Sequence, residues 1–358
     1  MKEKITEQEM LKWLQPGNFL LQPLTIHSFG AEVRRENLTI DALIEVAIPG
    51  EDSRFRFVVE SKSRATLEAI HAATSQARSA LLDNEWPMIQ VPYLAPERLE
   101  HLERLGVSGV DLCGNGVVLI PNRLYVMRSG QPNKYPDSRP LNNPYRGKSA
   151  LVGRTLLTEP SWSSLSTLVH AMEEAGTNLS LPQASKAIRA LTEDLIVEKF
   201  GGTIKLQDPM RLLDKLGSEW RKPIIHARQA FRLNEDTAEW ASRFSSHTKL
   251  RWGMTGESSA SRYVVFSQGG PHRIAVSDLS IAASLLGGEP ESLANFADVE
   301  LFETEEPGFF FQTATDETGV RWASRLQTWL ELQAGDARQQ SAAKEVRRQI
   351  LRGFTNDI

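Results

Sequence analysis

The chain has little of what several classes of protein depend on. Its 358 residues include a single cysteine, Cys113, so an internal disulfide cannot form and a reducing cytosol is the natural compartment. No apolar run approaches the roughly 18 residues that span a bilayer, and the first ten residues lack the apolar core of a signal peptide. The sequence therefore predicts a cytoplasmic protein without a membrane partner.

Histidine is also scarce, and an excess of basic charge is missing. Seven histidines are scattered singly without metal-ligand spacing, and His71, inside an apolar helical stretch, is expected to be a half-buried structural residue. With 41 Lys and Arg against 45 Asp and Glu, the net charge is −4, so any nucleic-acid site must be local. The contents of apolar residues (41%) and charged residues (24%) are those of a soluble globular chain.

The order of apolar patterns and breaks along the chain predicts an α/β multidomain protein. Segment 1–135 reads strand, strand, helix, strand, helix, strand, which indicates a mixed sheet with helices on its faces. Proline, glycine and asparagine crowd around the predicted linker 136–147. A helical domain is expected over 148–220 and an α+β domain over 221–358, where the runs 262–268 and 308–314 have the composition of strands.

The segment 148–220 has the outline of a winged helix-turn-helix, with three amphipathic stretches followed by a hairpin at Gly201–Gly202. Its third helix would lie in the major groove of DNA. Gln and Arg side chains can read base edges, whereas Lys and Ser suit phosphate. The candidate DNA contacts are Ser180, which would also cap this helix, and Gln183, Ser185, Lys186, Arg189, Lys199 and Lys205.

The alternative is that these polar residues are only the solvated face of an amphipathic helix. Charge does not decide between the two, because residues 146–222 hold 11 Lys and Arg against nine Asp and Glu. Placement favours DNA, since the acidic residues cluster in the second helix and after Leu191.

A second constellation lies in segment 1–135, where Asp41 on one predicted strand precedes Glu60 and Lys62 on the next. This arrangement resembles the D…(E/D)xK motif of the restriction-endonuclease-like superfamily. Two carboxylates can hold Mg²⁺, and a lysine can orient the attacking water. Gln76 and Glu32 are accessory candidates. The alternative is a surface ion pair of little energetic consequence.

Several short motifs resemble the AbiEi-type antitoxins, the transcriptional regulators of type IV toxin–antitoxin systems. They are VSGVDLCGNGVVLIPNRLYV, NNPYRGKSALVGRTLL, WGMTGESSA, ADVELFE and RLQTWLELQAGDARQQSAAKEVRRQIL. The resemblance implies a bacterial DNA-binding protein that represses its own operon and counters a nucleotidyltransferase-like toxin. The simplest members carry the winged helix at the N-terminus, whereas here an endonuclease-like segment precedes it.

The combined expectation is a transcriptional regulator of antitoxin type that binds double-stranded DNA, uses no cofactor and performs no chemistry. The alternative is a Mg²⁺-dependent DNA endonuclease, with Asp41 and Glu60 as metal ligands, that its winged helix brings to DNA. A third alternative is an interaction protein whose segment 221–358 binds a partner. Self-association is left open.

Overall fold

The computed structural model describes residues 5–35, 38–51, 53–135, 143–233, 235–267, 269–291 and 296–357. Contacts divide the chain into two compact units, Met1–Pro140 and Leu141–Ile358. Both contain helices and sheets, so the chain is a multidomain α/β protein. Part of the predicted linker, residues 136–142, lies outside the described residues. No helix in the described ranges has the length and apolarity to cross a membrane.

The first unit is built on one mixed sheet, whose eight described strands lie side by side in chain order. The strands are β1 (Phe19–Leu21), β2 (Leu24–Arg35), β3 (Leu38–Ala47), β4 (Arg54–Ser61), β5 (Glu85–Val91), β6 (Ser108–Asp111), β7 (Gly116–Ile120) and β8 (Leu124–Arg128). The helices are α1 (Glu7–Leu11), followed by a 3₁₀ turn at Lys12–Leu14, α2 (Leu67–Ser79) and α3 (Pro96–Leu105).

Connection lengths explain the strand directions in this sheet. Strand β5 is parallel to β4 and to β6, and helices α2 and α3 make these two crossovers. The other neighbours are antiparallel and are joined directly. The segment 27–37 could be read from its sequence as either a helix or a strand; it belongs to β2 as far as Arg35, and residues 36–37 lie outside the described residues.

The second unit begins with a helical part and a small antiparallel sheet in the order β10–β11–β9. Its elements are α4 (Gly147–Thr158), β9 (Ser161–Trp162), α5 (Leu165–Glu174), α6 (Leu181–Glu193), β10 (Val197–Phe200), β11 (Thr203–Leu206) and α7 (Pro209–Glu219). Ser180 caps α6 and Pro182 lies in its first turn, which confirms the predicted start of this helix.

The remainder of the second unit surrounds a seven-stranded mixed sheet in the order β15–β12–β16–β14–β13–β18–β17, counted over the described residues. Its strands are β12 (Arg228–Arg232), β13 (Trp252–Met254), β14 (His272–Val276), β15 (Glu289–Glu291), β16 (Val299–Glu303), β17 (Ala314–Thr315) and β18 (Arg321–Trp322). Its helices are α8 (Thr237–Ser246), α9 (Glu257–Ala260), α10 (Leu279–Leu286), α11 (Arg325–Gln333) and α12 (Ala337–Leu351), with 3₁₀ turns at Pro307–Phe309 and Arg352–Asp357.

One apolar core joins the two parts of this unit. Leu151 and Leu156 of α4 belong to the same buried cluster as Trp329 and Leu330 of α11 and Val346 of α12. Contacts accordingly place the expected domains 148–220 and 221–358 within one unit. Burial of shared apolar area therefore holds the helical part against the C-terminal part.

Two of the strand predictions are wrong. Residues 308–314 form a 3₁₀ turn at Pro307–Phe309 and an irregular segment, and only Ala314 is in a strand. In the run 262–268, residues 262–267 form turns and irregular chain, and residue 268 lies outside the described residues. In both runs the aromatic side chains are buried or half-buried against other elements. A short apolar run indicates that the segment is largely buried. The spacing of its apolar residues is too short a signal to distinguish a strand from a buried turn.

The boundary between the two units generates a prediction about proteolysis. Limited digestion of the full chain should cut first within residues 129–148, because proline- and glycine-rich backbone is a preferred site of nicking. The two products should match the units Met1–Pro140 and Leu141–Ile358 by intact-mass spectrometry. A first cut within residues 60–100 would contradict this boundary.

Candidate functional site

The sheet register brings Asp41 and Glu60 together. Ala42 of β3 pairs with Val59 of β4, so Asp41 and Glu60 are the next opposing positions and project from the same face. Glu60 is 3% exposed, Asp41 is half-buried, and the two carboxyl groups interact through a side-chain hydrogen bond. The two residues predicted as metal ligands are thus adjacent.

Lys62 follows β4 directly and completes the predicted motif. Its Nζ lies 3.5 Å from Oε2 of Glu60. Its backbone N–H donates to the carbonyl of Gln90 on β5 (2.9 Å), and the Ser61 N–H donates to Oδ2 of Asp41 (2.7 Å). Backbone hydrogen bonds therefore hold the end of β4 and fix the two charged side chains of the Glu60-x-Lys62 run beside Asp41.

The electrostatics of this cluster are those of a cation-binding site. Burial, followed by the nearby charge of Asp41, raises the pKa of Glu60 from 4.5 to about 7, and Lys62 opposes the shift. Two carboxylates that repel one another in a buried place gain from a proton or from a cation between them. The arrangement goes beyond an isolated surface ion pair, because Glu60 is buried and has a carboxyl neighbour.

The donor set fits a hard divalent cation. Carboxylate oxygens are the ligands that Mg²⁺ takes, commonly one or two of them together with water. Over the ranges that the structure describes, no three His, Cys, Asp or Glu side chains are grouped so that they could hold a metal. Asp41 and Glu60 could supply two carboxylate ligands to such an ion, and the remaining ligands would be water.

Two residues that support this site, Glu7 and Gln90, were not predicted from the sequence. Oε1 of Glu7, in α1, accepts a hydrogen bond from the Ser63 N–H (3.2 Å). Gln90 accepts from the Ser61 hydroxyl (2.9 Å) and donates to the Met10 carbonyl (3.1 Å). A Thr6–Glu9 capping box could have located the start of α1. Nothing in the sequence indicates that α1 packs against the end of β4.

The two accessory candidates lie outside this hydrogen-bonded cluster. Glu32 is exposed on β2, and Gln76 is exposed on α2, whose buried face carries Ile70, Ala73 and Ala77. Among the described residues, neither makes a hydrogen bond to the Asp41–Glu60–Lys62 cluster. The structure therefore brings together three of the four residues predicted as catalytic, Asp41, Glu60 and Lys62. A role for Gln76 stays a prediction.

The second candidate surface lies on α6 and the β10–β11 hairpin. All seven predicted DNA contacts are exposed. They are Ser180, Gln183, Ser185, Lys186, Arg189, Lys199 and Lys205. In the described part of the chain, none of the three lysines forms an ion pair, and neither does Arg189. The basic groups of this surface are therefore available to an anionic partner.

Gln183 has a local role that the sequence interpretation missed. Its Oε1 accepts hydrogen bonds from the Ser180 N–H (3.2 Å) and from the Ser180 hydroxyl (3.0 Å), which completes a capping box at the start of α6. A glutamine that reads adenine needs both its oxygen and its amide nitrogen. Gln183 would have to give up the cap to read a base, so Arg189 is the stronger candidate for base contacts.

Two histidines lie together that the sequence does not pair. Nε2 of His71 on α2 is 3.0 Å from Nε2 of His101 on α3. Burial, followed by the charge of His71, lowers the pKa of His101 to about 4. The expectation of a half-buried His71 is wrong, because this side chain is exposed. The outward position follows from the face of α2, since Ile70, Ala73 and Ala77 already supply its apolar contacts.

Comparison with known proteins adds little to this geometry. The chain matches no protein-family model and no curated protein sequence. A weak structural likeness is to the polyadenylate synthase of Megavirus, with 8% identity and a TM-score of 0.23 over 83% of this chain and 64% of the viral chain. The aligned part thus spans less than two thirds of that protein, and the likeness carries no argument about fold or function.

The raised pKa of Glu60 generates a prediction about stability. The folded state holds a proton that the unfolded chain releases above pH 4.5, so the first unit should lose stability as pH rises from about 4.5 to about 7. Glu60→Gln removes this loss and should stabilise the unit by about 1–3 kcal/mol at pH 8, with little effect at pH 4. Hydrogen exchange of peptides from β3 and β4, in EDTA, measures the difference.

The matched control is Glu68→Gln, an exposed glutamate of α2 in the same unit. It should leave exchange unchanged at both pH values. An equal effect of Glu60→Gln at pH 4 and at pH 8 would contradict the buried-proton explanation.

Proposed function

We propose that the protein binds double-stranded DNA through α4–α7 of its second unit, which act as a winged helix-turn-helix, and that it regulates transcription. The observation that carries this proposal is the element order helix, strand, helix, helix, hairpin, with β9 closing a three-stranded antiparallel sheet against the hairpin. This order is typical of winged helices, in which the third helix enters the major groove.

The surface of α6 supports a recognition role. Ala184, Ala187 and Ile188 are buried, so the helix is anchored along one stripe. Lys186 and Arg189 lie on the opposite, exposed side. Arg189 is suited to guanine edges, because its guanidinium can donate two parallel hydrogen bonds, and Lys186 is suited to phosphate.

The hairpin supports a role as the wing. Gly201 and Gly202 both have positive φ (58° and 93°), which a tight turn of this kind requires. Lys199 and Lys205 are exposed beside the turn, and Phe200 at its tip is 82% exposed. Basic and apolar side chains at a hairpin tip suit contact with the backbone and minor groove of DNA.

The antitoxin role is a further part of this proposal. It rests on the AbiEi-like motifs of the sequence, which imply control of the protein's own operon and a nucleotidyltransferase-like toxin as partner. Segment 221–358 would bind such a partner, because α6 and the β10–β11 hairpin would be occupied by DNA.

A second candidate function is Mg²⁺-dependent cleavage of DNA in the first unit. The convergence of Asp41, Glu60 and Lys62 favours it, together with the raised pKa of Glu60. A bound Mg²⁺ would polarise the phosphate and lower the pKa of a water molecule. Asp41 and Glu60 would hold the ion, and Nζ of Lys62 would orient the water or donate to the developing charge.

The proposed recognition surface can be tested by fluorescence anisotropy. Labelled DNA from the region upstream of the gene is titrated with full-length protein at several salt concentrations. Arg189→Ala should cost about 1–3 kcal/mol and relax sequence preference at one base pair. Lys186→Ala should weaken binding to all sequences alike and lower the salt slope by about one unit.

The control for this titration is Lys344→Ala, an exposed lysine of α12 in the same unit. It should leave affinity and salt slope unchanged. If Arg189→Ala and Lys186→Ala both bind as the wild type does, with circular dichroism unchanged, the face of α6 is only solvated and DNA recognition by this helix is wrong.

The two candidate functions differ in what Mg²⁺ does to bound DNA. If the protein is a regulator, it should leave plasmid DNA uncut in the presence of Mg²⁺ or Mn²⁺, as judged by gel electrophoresis. Cutting that disappears in Lys62→Ala and persists in Lys134→Ala, an exposed lysine of the same unit, would establish the endonuclease instead.

A further inference from the structure

The second unit contains a cavity of about 270 Å³ that no part of the proposed function uses. It lies between α4, α11, the segment that follows α7 and the 3₁₀ turn at Pro307–Phe309. Trp220, Phe309 and Leu330 supply an apolar wall, whereas Arg154 and Gln327 supply polar groups. A concave apolar surface with a few fixed polar groups is the usual form of a small-molecule site.

Arg154 is the unusual residue of this cavity. It is 5% exposed, and its Nη1 donates to the Gly308 carbonyl (3.1 Å) and to Oε1 of Gln327 (2.9 Å). Its Nε is buried and has no hydrogen-bond partner, and no carboxylate in the described residues lies within ion-pair distance of the guanidinium. Burying a charged group without a direct counter-ion is costly, so its retention calls for an explanation.

The surroundings hold the guanidinium in place, and the carboxylates of Glu331 and Glu306 act on its charge without a direct ion pair. A Cβ at position 308 would lie 2.8 Å from Nη1, so Gly308 leaves the space that the side chain occupies. The amide of Gln327 donates to Oε1 of Glu331 (3.0 Å), so the nearest buried carboxylate is one side chain away from Arg154. Burial lowers the pKa of Arg154 to about 10, and the guanidinium stays charged at neutral pH.

Further positive charge lies around the cavity. Four basic side chains line it against two acidic ones, Glu219 and Glu306. Arg146 is paired with Glu219 (2.7 Å), and Arg221 donates to backbone carbonyls. Lys222 is exposed and forms no ion pair with any residue that the structure describes. Glu306 offsets part of this charge, so the lining keeps a net positive charge to which the buried Arg154 and the exposed Lys222 both contribute.

We propose that this cavity binds a small amphipathic oxyanion, a carboxylate or a phosphate monoester carried on an aromatic or aliphatic body. The oxygens would accept from N–H groups of the Arg154 guanidinium, which lines the cavity and donates strong, charge-assisted hydrogen bonds to such groups. The body would pack against Trp220 and Phe309. The volume of about 270 Å³ lies just below the ~300–1,000 Å³ usual for ligand pockets, which favours a ligand about the size of one substituted ring.

The site does not depend on the DNA-binding proposal. A bound oxyanion would contact α4 through Arg154 and would lie beside Gly308 and Gln327. It would thus add contacts between the helical and C-terminal parts of the unit.

Isothermal titration calorimetry of the full chain tests the site with four probes. Phenyl phosphate and benzoate carry both an oxyanion and a ring, inorganic phosphate lacks the ring, and benzyl alcohol lacks the charge. At least one of the two aromatic anions should bind about tenfold more tightly than both partial probes, because a charged hydrogen bond and ring burial act together. The tighter of the two identifies the head group.

Three variants locate the binding. Arg154→Gln should weaken the tighter anion at least about tenfold, and Ala150→Phe should block it by filling the cavity from α4. Lys222→Glu, on the surface, should weaken it a few-fold without any effect on folding. The control is Arg228→Gln, an exposed arginine of β12 outside the cavity lining, which should bind as the wild type does.

Two results would overturn the proposal. One is the absence of heat with both aromatic anions at millimolar concentration. The other is an affinity that stays the same in Lys222→Glu and in whichever of Arg154→Gln and Ala150→Phe folds.

Discussion

The register between β3 and β4 is the constraint on which the candidate site depends. Buried pairs such as Ile44 with Phe57 and Ala42 with Val59 fix it, because a slip of one residue would turn these side chains away from the core. The same register sets Asp41 opposite Glu60. Like charges directly opposite on neighbouring strands are destabilising, so apolar burial along the strands holds in place a pair that would separate on its own.

In the second unit, a small helical part has to be held against a larger part that contains the seven-stranded sheet. The core that α4 shares with α11 and α12 does this, and Arg154 adds a polar tie through Gly308 and Gln327. The exposed faces of α6 and of the β10–β11 hairpin take no part in that core. They are therefore free to vary without loss of the interface, which suits a surface that recognises an external partner.

Local signals made much of this predictable. Spacing by two places Glu60 and Lys62 on one face of a strand, and Ser180 with Pro182 marks the start of α6. Contacts between distant segments had no such signal: Glu7 reaches Ser63, and His71 meets His101. The sequence also shows that Gln183 lies near the start of α6, where its amide could either close a capping box or contact a base. Its hydrogen bonds with Ser180 in the folded chain show that it closes the box.

The amide of Gln327 has a consequence for the direction of the polar chain around it. Its oxygen faces the guanidinium of Arg154 and its nitrogen faces the carboxylate of Glu331. Turning the amide over would set donor against donor at one end and acceptor against acceptor at the other. Only one orientation of the Gln327 amide therefore satisfies both neighbours. In that orientation the amide links the buried guanidinium of Arg154 to the buried carboxyl group of Glu331, which are not in contact with each other.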